Sequence, residues 1–250
     1  MPELPEVEAY RSLVEERALG RVVERVDAPD AWYLKRATTA RAARASLTGR
    51  RFVGARRRGK LLLVDTDRDG PTLGLRFGMT GRLVVDGRDV HDWDRFVVRF
   101  DDGGDLRMRD PRRLGGVELD PDERRLGPDA LTLQPAELAR VLGDSRAPLK
   151  ARLMDQSRLA GLGNLLVDET LWRAGLDPAR PAGSLTAAER RRLHRHVTAT
   201  LADLIDRGGS HTGELHLERR PGGLCPRDGT PLVRRTVCGR TTFSCPLHQG

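Results

Sequence analysis

Residues 51–66 read Arg-Phe-Val-Gly-Ala-Arg-Arg-Arg-Gly-Lys-Leu-Leu-Leu-Val-Asp-Thr. Two short apolar runs flank a glycine turn, which is the pattern of a tight antiparallel hairpin and not of a helix. Working outward from it, the same rhythm continues. Candidate strands fall at 51–57, 61–66, 72–77, 82–85, 95–100 and 106–109, separated by Gly59, Asp69-Gly70, Asp86-Gly87 and Asp102-Gly103-Gly104. Many short strands with close turns predict a sandwich or barrel. A helix precedes them and should stop at Gly20, carrying an apolar stripe of Val7, Leu13 and Val14. Beyond residue 118 the period changes. A charged linker over 119–130 leads to helical segments at 135–142, 148–155, 164–174 and 186–207, the last opened by a Thr186/Glu189 capping box and closed by Gly208-Gly209. The stretch 224–249 reads as a hairpin with cysteine-bearing ends. The expected class is α+β: a β-rich domain over 1–118, a helical domain over 131–209 and a small finger within 210–250.

At 250 residues the chain can bury a core without covalent staples, and its formal charge of +8 calls for a polyanionic partner, most simply nucleic acid. Of 44 basic residues only Lys35, Lys60 and Lys150 are lysines. Three cysteines, all after residue 224, exclude a disulfide framework and leave a metal site open. No signal-peptide pattern and no run of 18 apolar residues is present, so a cytosolic, nucleoid-associated protein is expected.

The chain begins Met1-Pro2-Glu3-Leu4-Pro5-Glu6. Removal of Met1 exposes the secondary amine of Pro2, which can attack a sugar C1′ or an aldehyde and form an iminium, an electron sink needing no proton. Glu3 beside it suits acid/base work; the alternative is a plain helix start. Lys60 is either a phosphate clamp or the solvent-exposed end of a hairpin. Leu159-Ala160-Gly161-Leu162-Gly163-Asn164 lies between two helices, where helix-start amides can hold an anion such as a DNA phosphate; a simple helix-turn-helix linker fits as well. Gly78-Met79-Thr80-Gly81 and Asp110-Pro111-Arg112-Arg113-Leu114-Gly115 offer wedges for the hole left by an extruded nucleotide, unless Met79 and Leu114 belong to the core. Cys225-x2-Asp228 and Cys245-x2-His248 have zinc-ribbon spacing; the alternative is a finger held by apolar packing. Cys238 falls at the hairpin tip, away from them, with Arg240 and Thr241 beside it.

These motifs in this order resemble the formamidopyrimidine-DNA glycosylase / endonuclease VIII family of base-excision repair enzymes, over essentially the whole chain. The resemblance implies an N-terminal β-sandwich flanked by helices, a helix-two-turn-helix and a zinc finger, with double-stranded damaged DNA bound between the domains by a monomer. It further implies that Pro2 attacks C1′ of the damaged nucleoside, that Glu3 assists base departure, and that β- and δ-elimination follow. Lys60 matches the family's essential lysine, Met79, Arg112 and Leu114 the void-filling residues, and Asn164 and Arg240 the phosphate contacts. Lys150 and His91 align with basic positions near the DNA. Cys225, Asp228, Cys245 and His248 stand where four zinc-binding cysteines are usual. A longer segment after the last helix covers the flipped base in the 8-oxoguanine branch, and here only 210–221 remain. Oxidised purines are the expected substrates, oxidised pyrimidines or bulky adducts the alternative, and a non-catalytic damaged-DNA-binding protein the reading from another class.

Overall fold

The computed structural model describes residues 2–87 and 89–250; Met1 and Arg88 lie outside the described residues. The chain divides into two compact units. The first holds Pro2 and residues 6–123, the second residues 3–5 and 124–250.

The first unit is built on two four-stranded antiparallel sheets. One has the order β1-β6-β7-β5, from Val23–Asp27, Asp94–Phe100, Asp105–Arg109 and Arg82–Val85. The other has the order β2-β3-β4-β8, from Phe52–Arg58, Leu61–Thr66, Leu73–Arg76 and Gly116–Leu119. Phe52, Leu62, Val64, Leu75, Phe96, Val98 and Met108 from the two sheets share a fully buried core with Val7 and Val14 of helix α1 (Leu4–Arg17). Residues 51–66 form the expected hairpin, with Arg58 opposite Leu61 across a Gly59-Lys60 turn. Gly59 takes φ +57°, the positive angle that the first turn position of a II′ hairpin needs.

Helix α2 (Ala40–Leu47) and strands β1 and β8 went beyond the sequence-based expectation. In β1, Val23 and Val26 are three apart, an interval that a regular strand sends to opposite faces. A register shift between Val23 and Arg25 turns both inward, so no alternation is visible in Val-Glu-Arg-Val-Asp.

The second unit is helical: α3 (Pro135–Leu142), α4 (Leu149–Met154), α5 (Asn164–Ala174) and α6 (Ala187–Asp206). Their apolar faces share one core that also takes in Leu4. Helix α6 has the expected capping box, Thr186 and Glu189 each bonding the other's backbone N–H. The hairpin β9 (Val233–Val237) and β10 (Arg240–Ser244) belongs to this unit. Its two-residue tip, Cys238-Gly239, has φ +47° and +72°, the I′ pattern. Among the described residues, no helix is long and apolar enough to cross a membrane.

Candidate nucleic-acid processing site

In the second unit, Glu3 is fully buried and its carboxylate lies at the N-terminus of α5. Oε2 accepts from the Gly163 N–H at 2.7 Å and the Leu166 N–H at 3.3 Å, and Oε1 from the Leu165 N–H at 2.9 Å. A helix start concentrates unpaired N–H groups and the positive end of the dipole, so it holds negative charge firmly. The glycine is needed: a Cβ on residue 163 would stand 2.3 Å from the Glu3 carboxyl carbon. The helix start at Gly163-Asn164 thus holds an anion, but of the Gly-Leu-Gly-Asn amides only that of Gly163 takes part, together with Leu165 and Leu166, and the group they hold is the protein's own Glu3.

Asn164, half-buried, donates from its side chain to the Thr241 carbonyl at 3.2 Å, linking α5 to β10. Lys150 departs from the expectation of a DNA contact. It is fully buried, and its Nζ reaches Asp168 Oδ1 at 2.6 Å, Thr242 Oγ1 at 2.8 Å and the Thr241 carbonyl at 3.2 Å. Asp168 also takes Arg219 at 2.7 Å. Burial works against charge on both partners, pulling the lysine below its usual range and pushing the aspartate above its own; the contact between them opposes that. Lys150 therefore ties α4 and α5 to the strand that begins with exposed Arg240. Neither Asp168 nor Glu169 was singled out from the sequence, because acids in a helix read as its solvated face. Glu169 is buried too, accepting the N–H groups of Glu214 at 3.1 Å and Leu215 at 2.9 Å and so fastening the segment after α6.

In the first unit, Pro2 is half-buried and Lys60 occupies the second turn position of the 51–66 hairpin. His91 accepts the Trp93 N–H on Nδ1 at 3.2 Å, which in the neutral ring leaves the proton on Nε2 as a donor. Met79 and Leu114 are not core residues: they are 40% and 49% exposed. The adjacent arginines are both exposed, and Arg113 is drawn to Asp30 at 2.6 Å.

Cys225, Asp228, Cys245 and His248 bring one ligand atom each to within 4.8 Å of one another. Individual separations are 3.7 Å for Cys225 Sγ to His248 Nδ1, 3.5 Å for Cys245 Sγ to Asp228 Oδ2 and 3.0 Å for His248 Nδ1 to Asp228 Oδ2. Ordinary zinc–ligand bonds of about 2.0–2.3 Å at tetrahedral angles give edges of roughly 3.3–3.8 Å; the two separations that involve a thiol fall in that range and the His248–Asp228 contact is shorter, so the donor set is of a kind and closeness to share one zinc ion. The surroundings fit as well. His248 Nε2 contacts the Trp172 carbonyl at 3.1 Å, which keeps its proton there and Nδ1 free to ligate. Trp172 Nε1–H donates to Cys225 Sγ at 3.3 Å, and Gln249 accepts the Cys245 N–H at 2.8 Å. Cys238 at the exposed tip takes no part.

The profile described as the formamidopyrimidine-DNA glycosylase N-terminal domain matches residues 1–117, and that of the formamidopyrimidine-DNA glycosylase H2TH domain matches residues 126–215. The formamidopyrimidine-DNA glycosylase of Paracoccus denitrificans is 39% identical and that of Geobacillus kaustophilus 37%, each covered in full along with the whole of this chain. The first alignment runs over 286 residues, more than this chain contains, so the relative carries segments that are missing here. Among solved structures, MutM in complex with DNA containing carbocyclic 8-oxo-G is 30% identical at a TM-score of 0.89, with both chains covered in full. The Lactococcus lactis enzyme with DNA containing FAPY-dG is 28% identical at 0.88, with 99% of each chain covered. The chain belongs to the formamidopyrimidine-DNA glycosylase family.

Proposed function

We propose that Pro2 is the nucleophile and Glu3 the proton acceptor and donor of this base-excision repair glycosylase for oxidised purines, a DNA glycosylase with AP lyase activity. The observation that carries the assignment is the fixed Glu3 carboxylate, locked by three backbone N–H groups directly after Pro2 in the chain. Once Met1 is removed, the Pro2 nitrogen forms a bond to C1′ of the damaged nucleoside. The C1′–N bond to the base breaks, and the departing base takes a proton from water. A carboxylate that starts ionised first takes the proton released by Pro2 and then returns it to the opening sugar ring. The iminium makes the C2′ hydrogen acidic. Its loss expels the 3′ phosphate, and a second elimination expels the 5′ phosphate.

Lys60 binds a phosphate of the damaged strand, His91 donates to another through Nε2, and Asn164 and Arg240 fix the duplex from the second unit. Met79, Arg112 and Leu114 fill the space of the extruded nucleotide. Zinc held by Cys225, Asp228, Cys245 and His248 supplies folding energy to the finger and no chemistry. Cobalt in its place gives tetrahedral visible absorption and thiolate charge-transfer bands at one ion per chain, and both are lost in Cys245→Ser.

The fastening of 210–221 by Glu169 favours a second substrate class, bulky adducts, since a short pinned segment is not built to enclose a base. Glu3→Gln separates the steps: base release from a Fapy duplex falls by about 10²-fold, while borohydride still traps protein on a preformed abasic site. Equal loss of both activities would refute the division of roles.

A further inference from the structure

Two short loops carry the exposed wedge side chains, and one buried carboxylate joins them. Loop 77–81 runs from β4 to β5 and loop 110–115 from β7 to β8. Strand β4 pairs with β8 in one sheet, Arg76 opposite Gly116, and β5 with β7 in the other, Arg82 opposite Arg109. Both loops therefore cross between the same two sheet edges, side by side.

Asp110, with no exposed surface, bonds across them. Its Oδ1 accepts from the Thr80 hydroxyl at 2.7 Å and the Arg112 N–H at 3.1 Å, and its Oδ2 accepts from the Gly115 N–H at 2.8 Å. The backbone of Asp110 is engaged as well: its N–H donates to the Trp93 carbonyl at 2.8 Å, and its carbonyl accepts from Arg95 Nε at 2.9 Å. At Gly78, φ is +59° and a Cβ would come within 2.4 Å of the Leu114 carbonyl carbon, so the loops touch backbone to backbone.

We propose that Asp110 is the positioning residue for nucleotide extrusion, holding Met79, Arg112 and Leu114 as one rigid wedge. This rests on the void-filling reading of those three side chains. A wedge must hold its shape against the restoring force of base stacking, and exposed loop side chains have no packing of their own to do so. A buried carboxylate accepting three hydrogen bonds supplies that rigidity, and removing one acceptor leaves buried donors unpaired.

The test is single-turnover base release from duplex DNA by Asp110→Asn, alone and in a Met79→Ala/Leu114→Ala background, with borohydride trapping on a single-stranded abasic oligonucleotide as the extrusion-independent readout. Asparagine is isosteric but sets an NH2 group against the Arg112 N–H or the Gly115 N–H. Duplex base release should fall about tenfold or more, of the order expected for misplaced groups. Trapping on the single strand should stay within about twofold, because there is no stack to fill. In the double-alanine background the same substitution should cost less than about threefold. Thr80→Val, which removes one bond only, should show the same pattern more weakly and serves if Asp110→Asn does not fold. Equal slowing of duplex release and single-strand trapping, or full additivity with the double alanine, overturns the proposal. If Met79→Ala/Leu114→Ala leaves duplex base release unchanged, the void-filling reading fails and the proposal with it.

Discussion

Replacing Gly163 with alanine tests the Glu3 anchor while leaving the chemical identity of every reacting group unchanged. The backbone there, φ −121° and ψ −164°, is extended and open to alanine, so no conformational strain enters. The new Cβ would lie 2.3 Å from the Glu3 carboxyl carbon and 2.5 Å from both oxygens. Ordinary contacts begin near 3.4 Å, so the carboxylate must retreat by about 1 Å, out of bonding range of at least one of its three amides. Hydrogen bonds to a charged group contribute about 1.5–3 kcal/mol. A 1 Å misplacement of a reacting group costs about 10²-fold in rate, about 2.7 kcal/mol of barrier. The expected result is therefore a fall of about 10²-fold in single-turnover base release, with DNA affinity within about threefold of the parent. Quenched-flow cleavage of a labelled duplex and a binding titration at fixed salt measure the two. A base-release rate within about threefold of the parent would refute the claim that this amide cradle sets the position of Glu3.

Three further outcomes follow from the same geometry. Lys150→Met leaves Asp168 buried with Arg219 as its remaining cation and should destabilise the second unit by about 3–5 kcal/mol, while pairing it with Asp168→Leu should recover most of the loss; thermal melts followed by circular dichroism check both. Glu189, held by Arg180 and the Thr186 N–H, has its carboxyl lowered to about 2, so its stabilisation is present above about pH 4.5 and lost as pH falls toward 2. Glu189→Gln should cost about 1 kcal/mol near neutrality and shrink the drop in urea midpoint between pH 5 and pH 2.5. Arg240→Ala should weaken binding to all duplexes about equally and reduce the slope of log affinity against log salt by about one, read from titrations over several salt concentrations.

The sequence disclosed regular segments and failed where tertiary structure overrode local pattern. Helix 164–174 and strands 61–66 and 82–85 have the predicted ends, since apolar period and glycine punctuation coincide there. Strand β1 was hidden by its bulge, β8 by its opening glycine, and α2 by having only Ala43 and Leu47 as buried anchors. Gly-Leu-Gly-Asn was legible as an anion-binding helix start, yet nothing local shows that the anion comes from a residue 160 positions earlier. The burial of Lys150 was likewise invisible, because its partners Asp168 and Thr242 are far away in the chain. The four metal-ligand candidates were legible because each pair is close in sequence and the hairpin between them is short.

The most direct test of the central claim is borohydride reduction of the Met1-processed protein on an abasic duplex, followed by proteolysis and mass spectrometry of the DNA-linked peptide. The adduct should lie on the nitrogen of Pro2, and Pro2→Gly should shift or abolish trapping. A covalent adduct on Lys60 or another side chain, or no adduct on any abasic duplex, would contradict it.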